Sequence, residues 1–199
     1  MKMIRNELSH CDAWIFDMDG TLTVSIHDFE AIRKELGLES GEPILEVLAQ
    51  MPTEKARPLH QRLDEIEFEV AGRATAGEGV AKLLDSLRSR GVPLGILTRN
   101  GRDIAFETLR ACGLMEFFTP EYVIGREQAK PKPEPDGILQ LLSKWQQPAA
   151  RTVMVGDYFF DLAAGRAAGT STVYLDVDDS RQWCDYADVT VQRLDMLLR

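Results

Sequence analysis

The sequence predicts an α/β protein: a doubly wound parallel sheet with a small all-helical unit inserted after the first strand. Three observations lead there. From Glu78 onward, short apolar runs alternate with amphipathic helical stripes, the rhythm of strand–helix–strand units that build a parallel sheet. Between Val24 and Ala76 no run reads as a convincing strand. Polar residues stand directly after several of the apolar runs, where open α/β sheets bind ligands, beyond the carboxyl ends of their strands. The predicted division is 1–23 and 78–199 for the sheet unit and 24–77 for the helical unit.

The first strand is Ala13–Phe16, a short apolar run with aromatic and β-branched residues. It ends in Asp17-Met-Asp19-Gly20-Thr21-Leu22. On an extended chain, residues i and i+2 share a side, so Asp17 and Asp19 stand together at the strand's end. Two like charges that close are costly unless a cation lies between them or one carboxyl is protonated. Mg²⁺ suits a sparse all-oxygen site of this kind. Gly20 permits a sharp turn, and Thr21 offers a hydroxyl. The plain structural alternative is a strand ending in a solvated acidic turn.

In the helical unit, Ser25–Asp28 resembles a capping box ahead of Phe29, Ile32 and Leu36, which recur at helical spacing before Gly37. Glu42–Gln50 repeats the pattern with Ile44, Leu45 and Leu48. From Thr53 to Arg73, Leu59, Leu63, Ile66 and Val70 share a face, with Pro58 expected to break or kink the run. The glycine-containing stretch Ala74–Gly79 holds G-x-G without a third glycine, which predicts a hinge rather than a phosphate loop.

The alternation then begins. Val80, Leu83, Leu84 and Leu87 mark a helix ending at Gly91, and Val92–Leu97 a buried strand with a proline near its start. A helix over Arg102–Ala111 stops at Gly113, and Tyr122–Gly125 is a short strand. Ile138, Leu141, Leu142 and Trp145 face inward from a helix over Asp136–Trp145. Strand Thr152–Val155, helix Asp161–Ala168, strand Ser171–Leu175 and edge strand Asp188–Val191 follow, before a short terminal helix.

Composition excludes several classes. With 44% hydrophobic residues, the 199-residue chain can bury a substantial core. A net charge of −9 disfavours nonspecific binding to nucleic acid or an anionic membrane. The chain has no long apolar segment, and Met1–His10 is polar and charged, so a soluble cytoplasmic protein is expected. Cys11, Cys112 and Cys184 are scattered and read as reduced thiols. His10, His27 and His60 lack zinc-ligand spacing.

Three polar stretches follow the later strands: Thr98-Arg99-Asn100, Lys130-Pro-Lys132-Pro-Glu-Pro135, and Gly156-Asp157-Tyr-Phe-Phe-Asp161. Each has a bland reading. Thr98 or Asp157 would serve as a helix N-cap, and the lysine–proline run as a stiff surface loop. Their occurrence at successive strand ends, in this order, points instead to one shared site.

That order and spacing resemble the haloacid dehalogenase (HAD) superfamily across the whole chain. Asp17–Leu22 matches the first motif, D-x-D-G-T-L. Thr98 stands at the second motif's Ser/Thr, Lys132 at the third motif's lysine, and Gly156–Asp161 matches the fourth, G-D-x-x-x-D. The helical unit lies where the family carries a type 1 cap. The short cap and the K-P-x-P-D run are most similar to the phosphoglycolate phosphatase branch. Lys130-Pro-Lys132-Pro also fits K-P-x-P; Lys132 is preferred because Asp136 follows at the family's distance and leads into a helix.

The resemblance implies a Rossmann-like core and a Mg²⁺-dependent phosphohydrolase acting on a small phosphorylated metabolite, phosphoglycolate- or sugar-phosphate-like. It implies Asp17 as nucleophile, forming an aspartyl-phosphate, and as metal ligand. Asp19 would be the general acid–base, its backbone carbonyl also reaching the metal. Thr98 and Lys132 would hold the phosphoryl group, and Asp157 would complete the metal site. Asp161 would either contact the metal through water or orient Lys132. Apart from the resemblance, Arg99 and Asn100, with Arg73 and His27, are candidate substrate contacts, each read equally well as a surface or capping residue.

Three alternatives stay open: a sugar-phosphate mutase with the same motifs, a phospho-accepting signalling receiver, and a binding-only relative. Receivers carry their acidic pair early and their phospho-accepting Asp later, in a shorter uncapped chain, which is not the order seen here. The dehalogenases of the superfamily lack an acid at the position of Asp19.

Overall fold

A computed structural model describes residues 8–25 and 28–198. Six parallel strands form one sheet: β1 (Ala13–Phe16), β2 (Leu94–Leu97), β3 (Val123–Ile124), β4 (Thr152–Gly156), β5 (Ser171–Leu175) and β6 (Val189–Val191), in the order β3-β2-β1-β4-β5-β6. Central β1 is buried throughout because both faces of a parallel sheet are covered. Its side chains alternate between two cores. Trp14 and Phe16 join Leu83, Leu87 and Leu109 on one face, and Ile15 joins Ile138, Leu141 and Met154 on the other.

The first face is covered by the helices that carry Leu83 and Leu109, here termed αA (Val80–Ser89) and αB (Arg102–Ala111). The second is covered by αC (Asp136–Trp145) and αD (Phe159–Ala168). The doubly wound α/β fold expected from the strand–helix rhythm is therefore present. Strand order reverses between β1 and β4, and this switch point opens a crevice beyond their carboxyl ends.

Residues after β1 form three further helices, α1 (Phe29–Leu36), α2 (Ile44–Gln50) and α3 (Thr53–Ala71). They close around a cluster of their own, Ile32, Leu36, Ile44, Leu48 and Leu63. The strands of chain leading into and out of these helices are tied together: Val24 N–H donates to the Thr75 carbonyl and Gly77 N–H to the Leu22 carbonyl, each at 3.0 Å.

Several boundaries differ from expectation for local reasons. The cap of α1 is Asp28 itself, whose Oδ1 accepts the Ala31 N–H at 2.9 Å, rather than a box begun at Ser25. Pro58 does not break α3. The carbonyl deprived of its partner belongs to Glu54, in the first turn where the residue is exposed to solvent. Strand β2 begins at Leu94 because Pro93 has no N–H to give; its carbonyl still accepts from Trp14 N–H at 3.0 Å. Helix αD starts two residues before the expected Asp161, with Tyr158 as N-cap and Asp161 closing a capping box. The terminal helix is a 3₁₀ turn over Leu194–Leu197. Among the described residues, no helix is long and apolar enough to cross a membrane.

Candidate active site

The three central strands end level with one another. Phe16 pairs with Ile96 and with Val155, Asp17 N–H donates to the Val155 carbonyl at 2.9 Å, and Thr98 N–H donates to that of Ile124 at 3.0 Å. Asp17, Thr98 and Asp157 therefore leave the sheet at one edge, around the switch point.

Two glycines allow the acids to crowd together. Gly20 has φ +81°, and a Cβ there would lie 2.3 Å from Asp157 Oδ2. A Cβ on Gly156 would lie 2.2 Å from that of Asp161. The turn after β1 thus presses on Asp157, which also accepts from the Thr21 hydroxyl at 3.2 Å. Gly20→Ala is expected to cost about 1–3 kcal/mol through its left-handed backbone, lowering Tm by several degrees. It is also expected to weaken divalent-cation binding severalfold by calorimetric titration, because Asp157 must move. Unaltered cation affinity would show that Asp157 does not depend on this turn.

One carboxylate oxygen each from Asp17, Asp157 and Asp161 lies within 4.8 Å of the others. Lys132 is buried between two of them, ion-paired with Asp17 and, at 2.6 Å, with Asp161. Burial works against its ammonium, but Asp161 and Asp17 outweigh that and hold its pKa above the ordinary value. Lys130, two residues earlier, is exposed. The second oxygen of Asp161 accepts the Tyr158 N–H at 3.0 Å, so its carboxylate is engaged by Lys132 and by the start of αD. Burial, then the charges of Asp17 and Asp161, push the Asp157 carboxyl well above the usual range.

Asp19 stands outside that trio, its Oδ2 accepting from Asn100 Nδ2 at 2.7 Å. Burial, followed by the negative charges of Asp17 and Glu67, raises its carboxyl to about 7. That value suits a proton donor and acceptor near neutrality. Thr98 is buried, and its Oγ accepts the Asn100 N–H at 3.1 Å, which leaves the hydroxyl proton to donate elsewhere.

The four acids face Lys132, and burial, reinforced by their mutual repulsion, holds the carboxyls of Asp19, Asp157 and Asp161 above the ordinary range. An all-oxygen donor set with surplus negative charge fits a hard divalent cation. Asp17, Asp157 and Asp161 each have one carboxylate oxygen placed to hold one.

A cavity of about 400 Å³ opens above these groups, with Asp17, Asp19, Thr98, Asn100, Lys132 and Asp157 in its floor. Arg99 lines it too, but Nη2 donates to both Glu46 carboxylate oxygens, at 2.6 and 2.8 Å, and its guanidinium lies 4.7 Å over the Phe160 ring. Arg73 is exposed, and its Nε donates to the Glu69 carbonyl at 3.3 Å, away from the cavity lining. His27 lies outside the described residues. Sequence reasoning missed Glu67, which is buried in the cavity wall and paired with Arg126 at 3.0 Å. Burial raises its carboxyl to about 7, with Arg126 pulling the other way. The available signal was a carboxylate one helical turn after Leu63, on the apolar side of α3.

Residues 11–169 match the family model described as haloacid dehalogenase-like hydrolase. The chain belongs to this family of enzymes. An uncharacterized hydrolase of Saccharomyces cerevisiae is 33% identical over 171 residues, covering 84% of this chain and 78% of that protein. The N-acetylmuramic acid 6-phosphate phosphatase of Pseudomonas aeruginosa is 26% identical over 184 residues, covering 80% and 79%. Among solved structures, a HAD family hydrolase from Deinococcus radiodurans with bound phosphate and sodium superposes with a TM-score of 0.69 and 25% identity, covering 94% of this chain and 93% of that one. As a haloacid dehalogenase-like hydrolase, the chain carries its motif residues on the three level strand ends and on the loop that brings Lys132 to them.

Proposed function

We propose that this protein is a Mg²⁺-dependent cytoplasmic phosphatase that cleaves a small phosphorylated metabolite through an aspartyl-phosphate on Asp17. The observation that carries this reading is the buried Lys132 held between Asp17 and Asp161, with Asp157 alongside and Asp19 facing the same cavity. The phosphatase named among its relatives and the phosphate bound in a solved relative support it. Bound Mg²⁺ would neutralise charge on the phosphoryl oxygens and let an anionic nucleophile approach.

The protein's own groups supply the rest. An Asp17 oxygen attacks phosphorus as the bond to the leaving oxygen breaks, giving a covalent intermediate that divides one difficult step into two. Protonated Asp19 gives its proton to that leaving oxygen. The resulting carboxylate then takes a proton from water as the water attacks phosphorus, releasing phosphate and restoring Asp17. Asn100 fixes the Asp19 carboxyl by its 2.7 Å hydrogen bond. The Thr98 hydroxyl and Lys132 ammonium bind phosphoryl oxygens. Residues 24–77 act as a cap over the cavity, hinged where Leu22–Val24 runs beside Thr75–Gly77.

Phosphate release from p-nitrophenyl phosphate, measured with and without Mg²⁺, tests this function: many turnovers per protein are expected with the metal. One stable phosphorylation without turnover would identify a phospho-accepting protein instead. Asp19→Asn is expected to be phosphorylated by this activated ester but to lose the phosphate slowly, because nitrophenolate leaves unprotonated while the attacking water lacks its base. Rapid-quench measurement checks both steps; equal impairment of the two would remove Asp19 from the general-base role.

A further inference from the structure

The cavity has two unlike halves. Its floor is the charged site. The rest of its lining includes Leu45 of α2, Leu63 of α3, and Tyr158 and Phe160 at the start of αD. Tyr158 is half exposed and stands edge-on to Phe160, with ring centroids 5.2 Å apart.

The two arginines in this part of the lining each already hold a carboxylate. Arg33 is paired through Nη2 with Glu30 at 2.6 Å, while Nη1 donates to the Glu42 carbonyl at 3.1 Å. Its Nε has no hydrogen-bond partner but is buried, with no surface open to the cavity. Arg99 is held by both oxygens of Glu46. Glu67 adds a carboxyl to the same wall. A second phosphate or a carboxylate on the leaving group would therefore enter beside acids, and would have to displace Glu30 or Glu46 to gain a cation. An uncharged apolar body needs no such exchange, and it removes apolar wall from water on binding. About 400 Å³ falls within the range of pockets that enclose ligands well beyond a two-carbon acid.

Resting on the phosphatase reading, we propose that the leaving-group pocket takes an uncharged body with an apolar face, of the size of an aryl ring. The favoured substrates are then monophosphate esters of aryl-bearing alcohols, over bisphosphates and phosphorylated carboxylic acids. Leu45 and Phe160 set this preference by lining the space that the ring occupies.

The test uses the purified full chain with Mg²⁺ and three alkyl esters whose leaving groups are all alkoxides: ethyl phosphate, 2-phenylethyl phosphate and 2-phosphoglycolate. Steady-state phosphate release is expected to give kcat/KM for the phenylethyl ester at least about tenfold above each of the other two, the scale of discrimination that apolar pockets achieve. Leu45→Ala and Phe160→Ala are each expected to lower the phenylethyl-to-ethyl ratio severalfold, and Phe160→Tyr to preserve it. A ratio cancels losses from misfolding, so a merely structural role would leave it in place. Hydrolysis of ethyl phosphate or phosphoglycolate without preference for the phenylethyl ester would overturn the pocket assignment alone. No release from any of the three by protein that turns over p-nitrophenyl phosphate would also overturn the pocket assignment alone, and no release from p-nitrophenyl phosphate either would overturn the phosphatase reading with it.

Discussion

Asp17→Asn is expected to abolish steady-state turnover, lowering kcat on the order of 10⁴-fold or more, as loss of a covalent nucleophile does. The amide keeps the side chain's shape, and the backbone N–H that donates to Val155 at 2.9 Å is untouched. The sheet around the position should therefore form as before. What changes is chemistry. An amide oxygen is a poor nucleophile toward phosphorus and a weaker ligand for a hard cation. Lys132 also loses one of its two carboxylate partners, keeping Asp161 at 2.6 Å. Some of that loss is offset, because Asp17 also repels Asp157. The check is phosphate release beside a thermal melt and a circular dichroism spectrum. Near-wild-type activity, in protein free of contaminating phosphatase, would eliminate Asp17 as the nucleophile.

Lys132→Ala is expected to lower kcat/KM by orders of magnitude, and Lys130→Ala to change it by less than about fivefold. The two lysines sit in nearly identical sequence contexts, so the difference comes from where the chain places them. Lys132 is 3% exposed and paired with two carboxylates that are themselves buried. Removing it leaves those charges uncompensated, a loss of about 3–5 kcal/mol for a buried pair broken on one side, and under the proposed mechanism it also removes a phosphoryl contact. Lys130 is exposed, and an exposed charge contributes under about 1 kcal/mol. Measured on purified proteins at saturating Mg²⁺, the reverse ranking would assign the catalytic lysine to position 130. A thermal melt of Lys132→Met, which keeps volume without charge, separates the electrostatic loss from an unfilled cavity.

Much of the framework was written in local pattern. Ala13–Phe16 carries its strand in four residues because the run is apolar and its side chains alternate between two cores. The helices over Phe29–Leu36, Arg102–Ala111 and Asp136–Trp145 follow from apolar spacing that a single turn of helix brings into line. Such periodicity belongs to neighbours in the chain, so it survives in the sequence. Ends were less legible, because caps and neighbours decide them: Tyr158 and Asp161 together started αD earlier than the small-residue run from Asp161 suggested.

The strand–helix rhythm, the helical segment after β1, and the acids, threonine and lysines standing at strand ends are all legible in the order of residues along the chain. Folding settles which of these meet. It buried Lys132 and left Lys130 in water, turned Asn100 toward Asp19, and matched Arg99 with Glu46 from a helix 53 residues away in sequence. It also set Glu67 opposite Arg126, inside the wall of the cavity. The reason is physical. Secondary structure is governed by the few residues on either side, whereas a charge's partner, burial and proton affinity depend on segments that only the folded sheet and its covering helices bring within a few ångströms.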